Sequence, residues 1–137
     1  HYNITRSEYY RQLDIASKSG GNVMPFIKYA LQGFVDGLRD QIDRIQLQQL
    51  YVHWKNYIYS EFSEKDRASD KRRRTLILEL SDLNQSIYMI DKIRLTTPKI
   101  AEMYANLSDK TLERDIQNLI SLNLLIKDGN KIQCNWN

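Results

Sequence analysis

Between Asn22 and Phe62 the sequence carries no strong helix breaker, so this stretch reads as one very long helix around which the rest of the chain must be arranged. Asn22 is its N-cap candidate. Pro25 falls in the first turn, where the missing N–H of proline costs no hydrogen bond. The apolar positions Phe26, Ile27, Ala30, Leu31, Phe34, Val35, Leu38, Ile42, Ile45, Leu50, Val52, Trp54, Tyr57 and Ile58 form a stripe too wide for a single neighbour. Packing on two sides is therefore expected. Gly33 and Gly37, four residues apart, suit either a close helix approach or a mild kink.

A shorter helix precedes it over Thr5 to Ser17, where Tyr9, Leu13 and Ala16 repeat at three- and four-residue spacing with Tyr10 beside them, and Ser19-Gly20-Gly21-Asn22 ends it. After the long helix, Ser60 to Asp70 has almost nothing to bury and reads as a linker or exposed turn. This divides the chain into a helical segment, 1–64, and a second unit, 65–137. The second unit opens at Lys71 with a helical stripe of Leu76, Ile77, Leu80 and Leu83. After a break near Asn84, Ile87, Ile90 and Ile93 suggest a short helical continuation. Thr96-Thr97-Pro98 caps a short helix bearing Ile100, Ala101, Met103 and Tyr104. Ser108 is the N-cap candidate of a further helix lined by Leu112, Ile116, Leu119, Ile120 and Leu122. Last comes a hairpin, residues 124–127 and 131–134, closed by Asp128-Gly129-Asn130, a step suited to a tight turn because glycine accepts positive φ.

Three helices followed by a small β-hairpin wing, in that order, describe a winged helix-turn-helix, so the fold class is mainly α with one long helix ahead of that unit. The residues agree. The run Thr96-Thr97-Pro98-Lys99-Ile100-Ala101, then Ser108-Asp109-Lys110-Thr111-Leu112-Glu113-Arg114-Asp115-Ile116-Gln117-Asn118-Leu119, resembles the signature T-x-x-x-I-A…S-x-x-T-x-x-R-D-L-x-x-L of that fold. If the unit binds duplex DNA, its candidate contacts are Arg72, Arg73, Arg74, Lys110, Thr111, Arg114, Gln117, Lys127 and Lys131. Charge tempers that reading, because residues 108–121 hold two bases and three acids. Asp115 near the helix start and Arg114 in a local pair can equally serve the fold. The net charge of +3 comes wholly from residues 65–137, with thirteen bases against ten acids and four of the bases at Lys71-Arg72-Arg73-Arg74, whereas residues 1–64 balance at seven and seven.

The first unit has its own resemblance. Thr5-Arg6-Ser7-Glu8-Tyr9-Tyr10-Arg11-Gln12-Leu13, followed by Gly20-Gly21-Asn22-Val23-Met24-Pro25-Phe26-Ile27-Lys28-Tyr29-Ala30-Leu31-Gln32-Gly33-Phe34, is similar to the tail of Fic-type proteins. There, R-x-x-Y-Y-x-x-L and W-x-x-(F/W)-I-x-F-F-L-x-G follow the catalytic loop, and a winged helix after this tail is familiar. Val23 and Met24 stand where tryptophan is usual. The resemblance implies a bacterial, cytoplasmic protein whose complete form transfers AMP from ATP, with Mg, to a protein hydroxyl. It also implies that Tyr9 and Tyr10 line the nucleotide pocket of that complete form. The loop His-Pro-Phe-x-x-Gly-Asn-Gly-Arg that carries the reaction does not occur in this sequence, so the chain reads as a non-catalytic C-terminal segment. Its expected partner is the upstream catalytic domain, and it is expected to bind no cofactor or metal of its own.

The remaining chemistry is sparse. His1 stands at the terminus and His53 lies between Val52 and Trp54 on the long helix, a core or interface position. Cys134, the single cysteine, has no partner for a disulfide and reads as a small strand residue. With 42% hydrophobic and 27% charged residues the chain can build a core, and no run approaches the ~18 apolar residues of a membrane span, so a soluble chain without membrane contact is expected. Three functional readings follow: a segment whose winged helix regulates or positions a Fic-type enzyme; a sequence-specific DNA-binding regulator; and a protein-interaction or homodimer module built on the broad apolar stripe.

Overall fold

The computed structural model describes residues 2–81 and 87–136, with side chains from residue 6 onward. Leu83, the expected break near Asn84, and His1 lie outside the described residues. In order, the elements are α1 (Tyr2–Lys18), α2 (Met24–Glu61), α3 (Ala68–Leu80), β1 (Ile87–Met89), a 3-10 helix (Ile90–Leu95), α4 (Pro98–Tyr104), α5 (Asp109–Ser121), β2 (Leu125–Asp128) and β3 (Lys131–Cys134). The expectation of a mainly helical chain with a winged unit at its end is met. The chain separates into two compact units, 1–47 and 48–137, and α2 contributes residues to both.

In the first unit, α1 ends where Gly20 and Gly21 take positive φ of 67° and 96°, a conformation that side-chain-bearing residues adopt at a cost. Asn22 accepts a hydrogen bond from the Met24 N–H at 3.2 Å, which satisfies one of the orphan donors at the start of α2. Tyr9 meets Phe26 edge to face with ring centroids 5.5 Å apart. Among the described residues of this unit only Ala16 is buried.

The second unit holds the hydrophobic core. Trp54, Ile58 and Phe62 enter it together with Leu76, Ile77 and Leu80 of α3, Ile100 and Tyr104 of α4, Leu112, Ile116 and Leu119 of α5, and Tyr88, Leu125, Ile132 and Cys134 of the sheet. The boundary read from sequence at residue 64 therefore falls inside this unit. The polar stretch holds a turn after α2, but Phe62 within it is a core member along with Trp54 and Ile58 before it, and its last three residues already belong to α3, which starts at Ala68 rather than Lys71. Trp54 also donates from its indole N–H to the buried Ser81 Oγ at 2.7 Å, and Ser81 in turn donates to the Ile77 carbonyl. Cys134 lies in β3 and donates to the Leu80 carbonyl, and burial pushes its thiol up to about 11.

The sheet is antiparallel with strand order β1-β3-β2, Tyr88 facing Ile132 and Leu125 facing Cys134. The wing turn is two residues long, since Asp128 pairs with Lys131, and Gly129 supplies the positive φ of 57°. The helical continuation expected through Ile87, Ile90 and Ile93 is corrected. Residues 87–89 form a strand in which Tyr88 points inward and Ile87 and Met89 outward, while Ile90 and Ile93 share one side of a 3-10 helix, whose period is three. Thr97 caps α4 as expected, its hydroxyl accepting from the Ile100 N–H at 3.2 Å and donating to Glu79 at 2.9 Å. Ser108 occupies the N-cap position of α5 without a capping bond, because its hydroxyl lies 3.1 Å from that of Thr111.

Candidate functional site

Outside the basic quartet of α3, the sequence-predicted contact residues lie on α5 and the β2–β3 hairpin, and one carboxylate inside the unit ties the helices together beneath them. Asp115 sits on α5 between Leu112 and Leu119, on the buried side, with its side chain 1% exposed. It accepts from Arg72 Nε at 2.6 Å, Arg73 Nε at 2.8 Å and the Tyr104 hydroxyl at 2.9 Å, which binds α3, α4 and α5 to one anion. Burial by itself would raise this carboxyl. The hydrogen bonds from Arg72, Arg73 and Tyr104 outweigh it, and the net result lies below the usual carboxylate range. Burial and the adjoining Asp115 charge push Tyr104 well up.

This arrangement revises the charge reading in both directions. Arg72 and Arg73, candidates for phosphate contact, turn inward and are 19% and 17% exposed, so reaching a ligand would require breaking the Asp115 cluster. Arg74 packs its guanidinium 5.6 Å from the Tyr59 ring centre, and Lys71 pairs with Asp66 at 2.7 Å. The basic quartet is therefore mostly engaged within the protein. On α5, however, one of the three acids is internal and already neutralised. The exposed charges are Lys110 and Arg114 against Asp109 and Glu113, and Asp109 is paired with Arg94 at 3.1 Å. Gln117 is exposed beside them, whereas Thr111 is half-buried. Arg114, offered as a local structural pair, is exposed.

On the wing, Lys127 pairs across to the buried Ile132, and Lys131 pairs with Asp128 and Met89. Directly opposed residues of an antiparallel ladder share a face and successive ones alternate, so the two lysines occupy opposite faces of the hairpin. The turn of the helix-turn-helix is held by a residue the sequence did not reveal. Arg94, on the 3-10 helix, donates to the carbonyls of Tyr104 at 2.9 Å and Leu107 at 2.6 Å, closing the C-terminal end of α4. No sequence motif marks it. Asp115 did carry a signal, since it stands three residues after Leu112 and four before Leu119, on the buried stripe.

In the first unit Tyr9 and Tyr10 touch at 5.6 Å and are 43% and 55% exposed. They offer aromatic faces, and among the described residues no three His, Cys, Asp or Glu side chains gather to hold a metal. Along α2, nine large apolar side chains of this unit stand open: Met24, Ile27, Leu31, Phe34, Val35, Leu38, Ile42 and Ile45 on one face, and Leu47 on the opposite one. In the second unit's part of α2, Trp54 is buried and His53, expected in a core or interface, is exposed. No helix among the described residues is long and apolar enough to cross a membrane. Compared with protein-family models, curated proteins and solved structures, the chain matches none.

Proposed function

We propose that this chain is the non-catalytic C-terminal part of a Fic-type protein AMP-transferase, in which the first unit completes the catalytic domain and the winged unit regulates or positions it. What carries the reading is the order of two independent motif sets in one chain. The Arg-x-x-Tyr-Tyr-x-x-Leu run lies on α1, the Phe-Ile-x-x-x-Leu-x-Gly run on α2, and the winged unit follows directly. A first unit that exposes Tyr9, Tyr10 and Leu13 while burying only Ala16 among its described residues suits a segment that docks on further protein. Chemistry would then reside in a histidine loop upstream, with ATP and Mg bound there. The test is AMP transfer from labelled ATP by the longer protein and by the same protein lacking the whole second unit, residues 48–137. A rate changed several-fold by the deletion is the expected result. AMP transfer by this chain alone, or none by the longer protein, would overturn the proposal.

A second reading, duplex DNA binding, is favoured by the internal neutralisation of Asp115, which leaves Lys110, Arg114 and Gln117 open on α5 without that acid beside them. Fluorescence anisotropy with random and genomic duplexes across a salt series separates the two. Binding that weakens steeply with salt and falls on Arg114→Ala and Lys110→Ala supports DNA recognition, and no binding at low salt removes it. Arg72→Ala is not a fair probe, because it disturbs the Asp115 cluster.

A further inference from the structure

The open stripe on α2 has a spacing that matches a second copy of itself. At 3.6 residues per turn its eight apolar side chains fall within an arc of roughly 100°. Their exposures run from 39% at Val35 to 67% at Met24. The spacing reads the same in both directions about a point between Phe34 and Val35: Leu31 mirrors Leu38, Ile27 mirrors Ile42, and Met24 mirrors Ile45. A two-fold axis through that point, perpendicular to α2, lays a second α2 antiparallel on the first with each of these eight positions meeting the level of another of the eight. At each level the mirrored residues lie on opposite sides of the centre line of the stripe, so they interleave. An isologous contact needs a patch that matches itself about the axis, and mirrored apolar positions give this stripe that match.

We infer that α2 pairs antiparallel with α2 of a second copy of this chain, through residues 24–45. The area is sufficient. At the exposures given, the eight side chains present roughly 800 Å2 of open surface per copy, close to the ~800 Å2 per partner of a standard interface and above what a monomer usually leaves uncovered. The first unit has little else to hold it, since among its described residues Ala16 alone is buried. One edge of the stripe tempers the affinity: Lys28 and Arg39 lie on the same side, and antiparallel pairing brings Lys28 of one copy within a turn of Arg39 of the other. The pairing does not depend on which reaction a longer protein performs.

Sedimentation of the 137-residue chain at concentrations up to about 100 µM, where contacts of micromolar strength saturate, tests it. The expected species has twice the 16.3 kDa chain mass. Leu38→Glu, which meets Leu31 across the axis, lowers association at least a hundredfold while the fluorescence of Trp54 and Trp136 in the other unit stays unchanged. Lys28→Glu turns a repulsion into an attraction at two symmetric places and tightens the dimer several-fold at low salt, an effect that a parallel pair lacks. A monomer at the highest concentration would overturn the inference and assign the stripe to another covering segment. So would a dimer that survives both Leu31→Glu and Leu38→Glu, or one that Lys28→Glu weakens.

Discussion

At the scale of single residues, Asp115 carries the most consequence because three donors on two other helices converge on it. Asp115→Asn leaves two guanidiniums facing a neutral amide, and removing one member of a buried charge cluster costs about 3 kcal/mol. Urea unfolding followed by tryptophan fluorescence measures that loss. The pH dependence has a definite sign. With its carboxyl held below the ordinary value in the folded state, Asp115 contributes its full stability above about pH 4 and loses it as pH falls through the lowered value. The wild-type chain is therefore expected to weaken on acidification, and Asp115→Asn to flatten that limb. A variant as acid-sensitive as the wild type would exclude Asp115 as the group responsible. The burial of Asp115 was readable from its place among Leu112, Ile116 and Leu119. Its partners were not, since Arg72 and Arg73 lie more than forty residues upstream and read locally as a solvated basic run.

At the scale of elements, helix ends and the hairpin turn were legible because each depends on local chemistry. Pro98 after Thr97, Gly20-Gly21 after α1 and Asp128-Gly129-Asn130 all act where the sequence places them. The two helix caps differ in a way sequence cannot show, because both Thr97 and Ser108 belong to the favoured N-cap types. Thr97 makes its bond to the Ile100 N–H and Ser108 turns to Thr111 instead. Thr97→Ala is expected to cost about 1 kcal/mol, and Ser108→Ala less than about half of that. Thermal unfolding of the two variants side by side would show equal losses if both hydroxyls capped. Strand β1 was missed for a related reason. Three residues give too short an alternation to outweigh the three-residue spacing of Ile87, Ile90 and Ile93, and its pairing partner, β3, lies more than forty residues away.

At the scale of the whole molecule, the long helix was legible from the absence of breakers, but its division between two units was not. Apolar residues recur along all of α2, and only the tertiary core distinguishes Trp54, Ile58 and Phe62, which are buried, from Met24, Leu31 and Phe34, which are open. Burial of apolar surface supplies most of the drive to fold, so stability should follow that distribution rather than helix length. Residues 48–137 alone are expected to unfold cooperatively, with a urea midpoint close to that of the whole chain, because the entire core cluster lies within them. Residues 1–47 alone, at low micromolar concentration, are expected to show little helical circular dichroism. With Ala16 as the sole buried side chain described there, helix propensity must carry the structure, and isolated helices of ordinary composition are marginal in water. Raising the concentration of that peptide should raise its helix content, since pairing through α2 supplies the burial the monomer lacks. A 1–47 peptide fully helical at every concentration would show that local propensity suffices, and a 48–137 fragment that fails to fold would show that the core depends on residues outside it.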